Sequence, residues 1–460
     1  MEYKLKEINY YCPKCNKNIN DYVKNKKFIC ECGYNFKDKI DTQDKIYDLV
    51  KDYFKVEKSE NFEYGKTVIP LSTPTFNTDE IFEAMQTLLT TFVTMGDKVK
   101  LFEQKFSKYL QMNYSTLVTS GSTANSLALS CLTDQSLKNR IQPGDEIIAP
   151  ALTFATSVYP ILEINAVPVL VDIDLDTLNI DEKLIEESIT PKTKALMPVH
   201  LLGNPCKMDE IKRIAEKYNL WLIEDAADSS GSEYHGKKVG SLGHMSTFSF
   251  FFTHIMTTIE GGMVSTDDKN LNELLKSKRS FGWVRDMENK KYYEDLYKDI
   301  DPRFLFLSRG FNFKPTEIQG AFGMHQIRKL DSFVEARRTT ANYWSNHLKK
   351  YSDFIHTIEE QPNTKSAWYG FPIIVKEKAP FKKEDMIEFL NSRGVQTRPI
   401  LSGNITQQPV AKTFEYKAKD LSKSIFVNNN SFWVGNHQGI QDTERKAVAS
   451  YFDDFMKKFS

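Results

Sequence analysis

Along most of the chain, short apolar runs alternate with stretches in which apolar positions recur every three or four residues. From about residue 66, "EIIAPALTF", "PVLVDID", "KALMPVHLLG" and "LWLIEDAADS" are apolar runs that end in turn or polar residues. Between them lie amphipathic patterns such as "MDEIKRIAEKYN". Strands apolar on both faces and separated by helices predict an α/β fold with a mainly parallel sheet covered on both sides. In such sheets ligands bind outside the carboxyl ends of the strands, which puts His200, Asp225 and the loop after Phe250 at one edge. A long helical pattern near 316–350 leads into α+β texture, where "YGFPIIVK" and "GVQTRPI" predict strands of a smaller C-terminal domain. The pattern divides the chain into a cysteine-rich module (1–35), a linker helix (36–65), a large domain (66–335) and a small domain (336–460).

In the linker, Ile46, Leu49, Val50 and Phe54 fall at helical spacing and predict one docking stripe on a highly charged helix. The module before it holds four of the six cysteines. Cys12 and Cys15 form a CxxC, and Cys30 and Cys32 a tighter CxC. Two thiolate pairs, each brought round by a short turn, supply the four tetrahedral ligands of a structural zinc site. A segment this short buries little apolar surface, so metal would supply the missing stability. The single spacer in the second pair leaves iron or an unmetallated thiol cluster open. A full set of thiolates has no vacant position, which favours a structural role over a catalytic one. The other two, Cys131 and Cys206, stand alone and read as buried thiols.

Charge narrows the function classes. The 61 basic and 61 acidic residues balance, so no overall field favours nucleic acid or a membrane surface. No run of about 18 apolar residues occurs, and the opening "MEYKLKEINYYC" lacks the apolar core of a signal peptide. A cytoplasmic protein is expected.

Three segments carry candidate chemistry at the predicted sheet edge. "TSGSTANSLALS" is a small-residue turn opening a helix, whose free N–H groups and hydroxyls suit a phosphate, although many helices begin this way. Phe154, in "APALTFATS", either stacks on a flat cofactor or belongs to the core. Asp225, in "LIEDAADS", either holds a protonated pyridine nitrogen or caps the next helix.

Five further blocks carry a resemblance: "PVLVDIDLDTLNID", "ITPKTKALMPVHLLGNPCKMDEI", "LIEDAADSSGSEYHGKKVGSLGHMSTFSF", "IEGGMVSTDD" and "GFNFKPTEIQGAFGMHQIRKLD". In order, and nearly without gaps from about residue 68, the chain resembles the DegT/StrS-type sugar aminotransferases, fold-type I enzymes that use pyridoxal phosphate on nucleotide-linked keto sugars. The resemblance implies a three-layer α/β/α large domain, and the cysteine module lies outside it. By motif, Asp225 would pair with the pyridinium nitrogen, Phe154 would stack on the ring, and Ser122, Thr123 and Ser249 would hold the phosphate. Asn312 would reach the phosphate of the neighbouring subunit's cofactor, implying a homodimer with shared active sites.

One position departs from that family. Where the aminotransferases carry the lysine that binds the cofactor covalently, "SFFFTHIMTTIEGG" has His254. Imidazole forms no stable bond of that kind, yet it takes and returns a proton near neutral pH. With Asp228 in "EDAADS", counted by the same resemblance among the cofactor-binding residues, and the segment "LSGNITQQPV", the departure resembles the 3-dehydratase branch. That resemblance implies pyridoxamine phosphate as the working cofactor, His254 as the base and a 4-keto-6-deoxy sugar nucleotide, favourably GDP-linked, as substrate. Dehydratases of this group either hold a cysteine-ligated iron–sulfur cluster or use L-glutamate to regenerate the amine. The absence of cysteine from about 280–310 is similar to the cluster-free kind, so no cluster is expected. Arg279, Arg285 and, best placed, Arg398 are candidates for the diphosphate, and His437 for the sugar. The competing readings are an aminotransferase with its lysine replaced and a non-catalytic scaffold or regulator on the same fold.

Overall fold

A computed structural model of the chain describes residues 29–33, 37–56 and 62–459. They belong to two compact units, one drawn from Met1–Asn61 and Phe76–Val93, the other from Phe62–Thr75 and Thr94–Ser460.

In the first unit, helix α1 (Lys37–Val56) packs with α2 (Thr78–Leu89). The Tyr47 hydroxyl donates to Asp79 at 3.0 Å, and its ring meets Phe82 edge-on at 5.1 Å. Of the expected docking stripe, Ile46, Val50 and Phe54 are partly buried, and one member departs. Leu49 is 70 % exposed, while Ile40 is buried. At about 100° per residue, Leu49 stands some 200° round the helix from Tyr47. Residues 78–89, expected in the large domain, group instead with this linker helix. Of the cysteine module, Cys12 and Cys15 lie outside the described residues. Cys30 is buried and Cys32 partly exposed, in a turn closed by the Gly33 N–H donating to the Cys30 carbonyl at 2.8 Å. Among the described residues, which include two of those four thiols, no group of three or more metal-binding side chains is assembled.

The second unit opens with α3 (Asp97–Leu110). Its unpaired N-terminal amides are met by the Glu317 carboxylate, which accepts from Gly96, Lys98 and Val99 at 2.7, 2.9 and 3.0 Å. There follow β1 (Tyr114–Val118), α4 (Gly121–Cys131), β2 (Glu146–Pro150), β3 (Val167–Val171), β4 (Thr193–Leu196), α5 (Met208–Lys217), β5 (Trp221–Asp225), β6 (Met245–Ser249) and β7 (Gly262–Thr266). The apolar runs read from the sequence form β2 to β5, and "MDEIKRIAEK" forms α5. The chain continues through α6 (Lys269–Arg279), α7 (Glu317–Leu348), β8 (Ile355–His356), β9 (Gly370–Val375), β10 (Thr397–Arg398), β11 (Lys417–Ala418) and β12 (Ser431–Gly435).

The main sheet runs β1-β7-β6-β5-β4-β2-β3-β11. Its pairings are parallel except at β7, which is antiparallel to both β1 and β6. A smaller antiparallel sheet runs β8-β9-β12-β10. Helix α7 serves both: Met324, Leu330 and Val334 pack in the core beside the main sheet, and Ala341, Trp344 and Leu348 in the core of the small one. Since one 32-residue helix threads both cores, the two sheets share a rigid connection. No helix of the described residues is long and apolar enough to cross a membrane.

Candidate active site

Successive residues of a strand face opposite sides of the sheet, so the neighbours Glu224 and Asp225 at the end of β5 serve different surroundings. Glu224, fully buried, accepts from the amides of Gly240, Leu242 and Gly243 at 2.9, 2.7 and 2.7 Å. The Cys206 amide donates to His200 Nδ1 at 3.0 Å, which leaves the ring proton on Nε2, 3.2 Å from Glu224. This network holds the loop that leads into β6, and His200 belongs to the scaffold.

Asp225 turns the other way, into a cavity of about 520 Å³ at the carboxyl edge of the sheet. Its Oδ2 accepts from Asn125 Nδ2 at 3.0 Å and Ser157 Oγ at 2.7 Å, and its Oδ1 from the Ala227 amide at 3.1 Å. Phe154, half-exposed, forms part of the wall. At one end lies the N-terminus of α4. Ser120 is its cap, and Gly121, Ser122 and Ser249 line the cavity there. Gly121 is required by close approach: an added Cβ would lie 2.5 Å from Ser249 Cβ. Gly262 is equally constrained, since its Cβ would collide with the Ser120 carbonyl. Thr123 is not in the wall, because its hydroxyl is taken up by the cap, bonded to Ser120 N and O at 3.0 and 2.9 Å.

His254 lines the same cavity, its side chain 14 % exposed. Its Nδ1 is buried without a hydrogen bond and faces Asp228 Oδ1 at 3.6 Å, leaving Nε2 as the nitrogen open to chemistry. Tyr369 lies against it, with ring centroids 5.1 Å apart, and the tyrosine hydroxyl is 3.1 Å from Thr253 Oγ1. Burial, and then the charge of Arg337, lower the imidazole to about 4. Burial, and then the charge of Asp225, raise Asp228 to about 7. At neutral pH the histidine is thus uncharged and able to accept a proton.

Of the substrate candidates, Arg398 lines the cavity beside Leu401 and Trp433. His437 is buried and is absent from the wall, so sugar contact does not follow from its position. Arg279 is buried and paired with Glu103 at 2.6 Å, and Arg285 lies over the Trp283 ring at 4.3 Å; neither borders the cavity. Asn312 is also outside it, accepting from Lys314 Nζ at 2.6 Å. Sequence reading missed Asn125, Ser157, Tyr369 and Trp433. Asn125 falls four residues after Gly121 on α4, a spacing that puts it on the cavity face and was available as a signal. Tyr369, just before β9, and Trp433, on β12 of the second sheet, carried none.

The donor set fits a phosphorylated pyridine ring. A buried carboxylate held by three donors, an open aromatic wall, and a glycine-tightened helix N-terminus lined by Ser120, Ser122 and Ser249 occupy one cavity. Among the described residues, no lysine lines it.

Fold and site together are those of a sugar aminotransferase-like α/β enzyme scaffold. The family profile of the DegT/DnrJ/EryC1/StrS aminotransferase family matches residues 75–453, and the chain belongs to that family. It is 36% identical over 374 residues to the GDP-4-keto-6-deoxy-D-mannose 3-dehydratase of Escherichia coli O55:H7, covering 80% of this chain and 95% of that protein. It is 33% identical over 432 residues to the dTDP-4-dehydro-2,6-dideoxy-D-glucose 3-dehydratase of Saccharopolyspora spinosa, covering 91% and 93%. Among solved structures, GDP-4-keto-6-deoxymannose-3-dehydratase with a trapped PLP-glutamate geminal diamine superposes with a TM-score of 0.77 at 33% identity, covering 83% of this chain and 99% of that one.

Proposed function

We propose that the chain is a pyridoxamine phosphate-dependent 3-dehydratase of a nucleotide-linked 4-keto-6-deoxy sugar, GDP-linked in the favoured case, with L-glutamate restoring the amine. The observation that carries this reading is His254, lining the cavity with Nδ1 set against Asp228 and, among the described residues, no lysine in the wall. The 3-dehydratase relatives, and the glutamate adduct named for one of them, support it. When bound, pyridoxamine phosphate supplies the amine that meets the keto carbon and the ring that takes up an electron pair.

The chain's residues do the rest. Asp225, steadied by Asn125, Ser157 and Ala227, holds the ring nitrogen. Phe154 covers a ring face, and Ser122 and Ser249 bind phosphate at the start of α4, with Thr123 bracing the cap. His254, uncharged, accepts a proton at Nε2 and can return it to the hydroxyl leaving carbon 3 of the sugar, so that water departs. Asp228 stands behind it to balance the charge that then appears on the ring. Arg398, at the cavity, suits the diphosphate. His437 is left out of this assignment.

The reading extends to a homodimer in which Asn312 completes the partner's phosphate site, to structural zinc on Cys12, Cys15, Cys30 and Cys32, and to a division of the second unit near residue 335. It places the chain in deoxysugar synthesis for a lipopolysaccharide or capsule. The decisive experiment incubates the protein with GDP-4-keto-6-deoxymannose, pyridoxal phosphate and glutamate, with mass detection. Loss of water to a 3-deoxy product is expected. A 4-amino sugar without 3-deoxy product indicates instead an aminotransferase, and no turnover with any keto-sugar nucleotide indicates a scaffold.

A further inference from the structure

Helix α7 carries an arginine whose surroundings are unusual. Arg337 is 2 % exposed, yet each partner of its guanidinium is an uncharged oxygen. Nη1 donates to the carbonyls of Trp368 at 3.4 Å, Tyr369 at 3.2 Å and Asn436, and Nη2 to Gln438 Oε1 at 3.3 Å. Nε has no partner. A buried cation without a counter-charge is expensive, and its field reaches far in so dry an interior.

The segment it grips leads to the proposed base. Trp368 sits in the left-handed region at φ +48°, a conformation a bulky residue adopts only when held. The next residue, Tyr369, lies with its ring against His254. The Tyr369 amide donates to the Leu202 carbonyl at 2.9 Å, and the Leu202 amide donates to Asp228 Oδ2 at 3.3 Å. One set of bonds therefore runs from Arg337 to both neighbours of the imidazole.

We propose that Arg337 is a positioning residue for His254: it fixes Tyr369 against the imidazole and supplies a buried positive charge that keeps the ring unprotonated. This rests on the reading of His254 as the base. The other titratable or charged groups around the histidine are Asp228 behind Nδ1, Tyr369 on its face, and Asp225, Glu260 and Arg398 across the cavity. Each of the three carboxyl groups favours a protonated ring only when ionised, which burial and Asp225 oppose at Asp228; Arg398 is exposed, and Arg337 is the buried cation set against them. The direction of the imidazole's shift, down to about 4 with Arg337 the contributor after burial, agrees.

The test is histidine NMR on full-length, cofactor-loaded protein labelled at the imidazole carbon, with the His254 signal assigned by its loss in His254→Asn. In Arg337→Met the His254 midpoint is expected to rise toward its ordinary value by up to about one pH unit, burial being the larger cause and left in place. Turnover should fall more at pH 5 than at pH 8, with KM little changed. Arg337→Lys keeps the charge but loses the fork, so its His254 midpoint stays low while kcat drops at every pH. An unmoved midpoint in a folded Arg337→Met protein overturns the proposal. If that variant does not fold, an Arg337→Lys protein whose His254 titrates near its ordinary value does the same. Failure of the dehydratase reading shows separately, as an active His254→Asn protein or a wild type that makes no 3-deoxy product.

Discussion

His254 Nδ1 and Asp228 Oδ1 face each other at 3.6 Å, each largely withdrawn from solvent, with no hydrogen bond closing the gap. The distance is within reach of an ion pair but beyond a hydrogen bond. In the resting pair the imidazole is neutral. When Nε2 gains a proton, the positive ring and the carboxylate attract, and the gap can close. The arrangement favours the protonated histidine only after it has acted, which is the order a base requires.

Replacement of His254 by asparagine should remove that base without removing the cradle. Product formation is expected to fall by about 10²–10⁴-fold, the usual contribution of a positioned base. Pyridoxal phosphate should bind as before, because Asp225, Ser122 and Ser249 are untouched; absorbance titration checks this. Full activity in the variant removes His254 from the chemistry.

The pair also fixes a pH dependence. With the imidazole lowered to about 4, the base stays unprotonated through neutral pH, so an acid limb of kcat/KM near pH 7 is expected to follow protonation of Asp228, not of His254, and to be absent from Asp228→Asn. Asp228, raised to about 7, keeps its proton in the folded chain at pH values where the unfolded chain has released it. The stabilisation from that proton is complete below the ordinary carboxylate range and is lost as pH rises through 7. Asp228→Asn carries no such loss. Its stability advantage over the parent should therefore grow between pH 5 and pH 8, by on the order of 2 kcal/mol. Urea melts at the two pH values measure this, and turnover should fall in the same variant.

The apolar runs made β2 to β5 legible, because strands buried on both faces leave a continuous signal. His254 was legible by contrast, since the surrounding motif calls for lysine. What escaped was whatever depends on distant segments meeting. Tyr369, just before β9, and Trp433, on β12, reach the cavity from more than 100 residues along from His254, and periodicity carries no record of that approach. Arg337 falls in the long helical pattern of 316–350, which singled it out in no way, and only the fold shows it buried among carbonyls. Thr123 shows the converse: its motif suggested phosphate, but a cap bond within one helical turn holds the hydroxyl.

The glycine cradle gives a test that leaves the chemistry alone. A methyl at Gly121 meets Ser249 Cβ at 2.5 Å, so Gly121→Ala must push Ser249 and the α4 N-terminus apart. Overpacking of this kind costs about 1–3 kcal/mol. Cofactor affinity is expected to drop tenfold or more, measured by fluorescence titration, while the acid limb of the pH profile stays in place. Unchanged affinity means that the phosphate is held elsewhere.

Zinc on the cysteine pairs is open to direct measurement. Elemental analysis of protein purified without affinity metal should find one zinc per chain. Cys12→Ser and Cys30→Ser should each lose it. Iron in place of zinc, or no metal in the parent, sets the structural zinc site aside.

The shared active site is tested by mixing inactive proteins. Asn312 lies outside this chain's own cavity, next to Lys314, so its proposed work is on the partner's cofactor. Asn312→Ala and His254→Asn should each be inactive or nearly so as homodimers. In a mixed dimer, one cavity combines an intact His254 with an intact Asn312 from the other chain, and the second cavity has neither. Unfolding the two proteins together and refolding them should thus restore activity, approaching one competent site per mixed dimer. If Asn312 served its own chain's cavity, both sites of the mixed dimer would be defective and no activity would return. Size-exclusion chromatography of the mixture, with one protein tagged, confirms that mixed dimers formed and makes a negative result decisive against sharing.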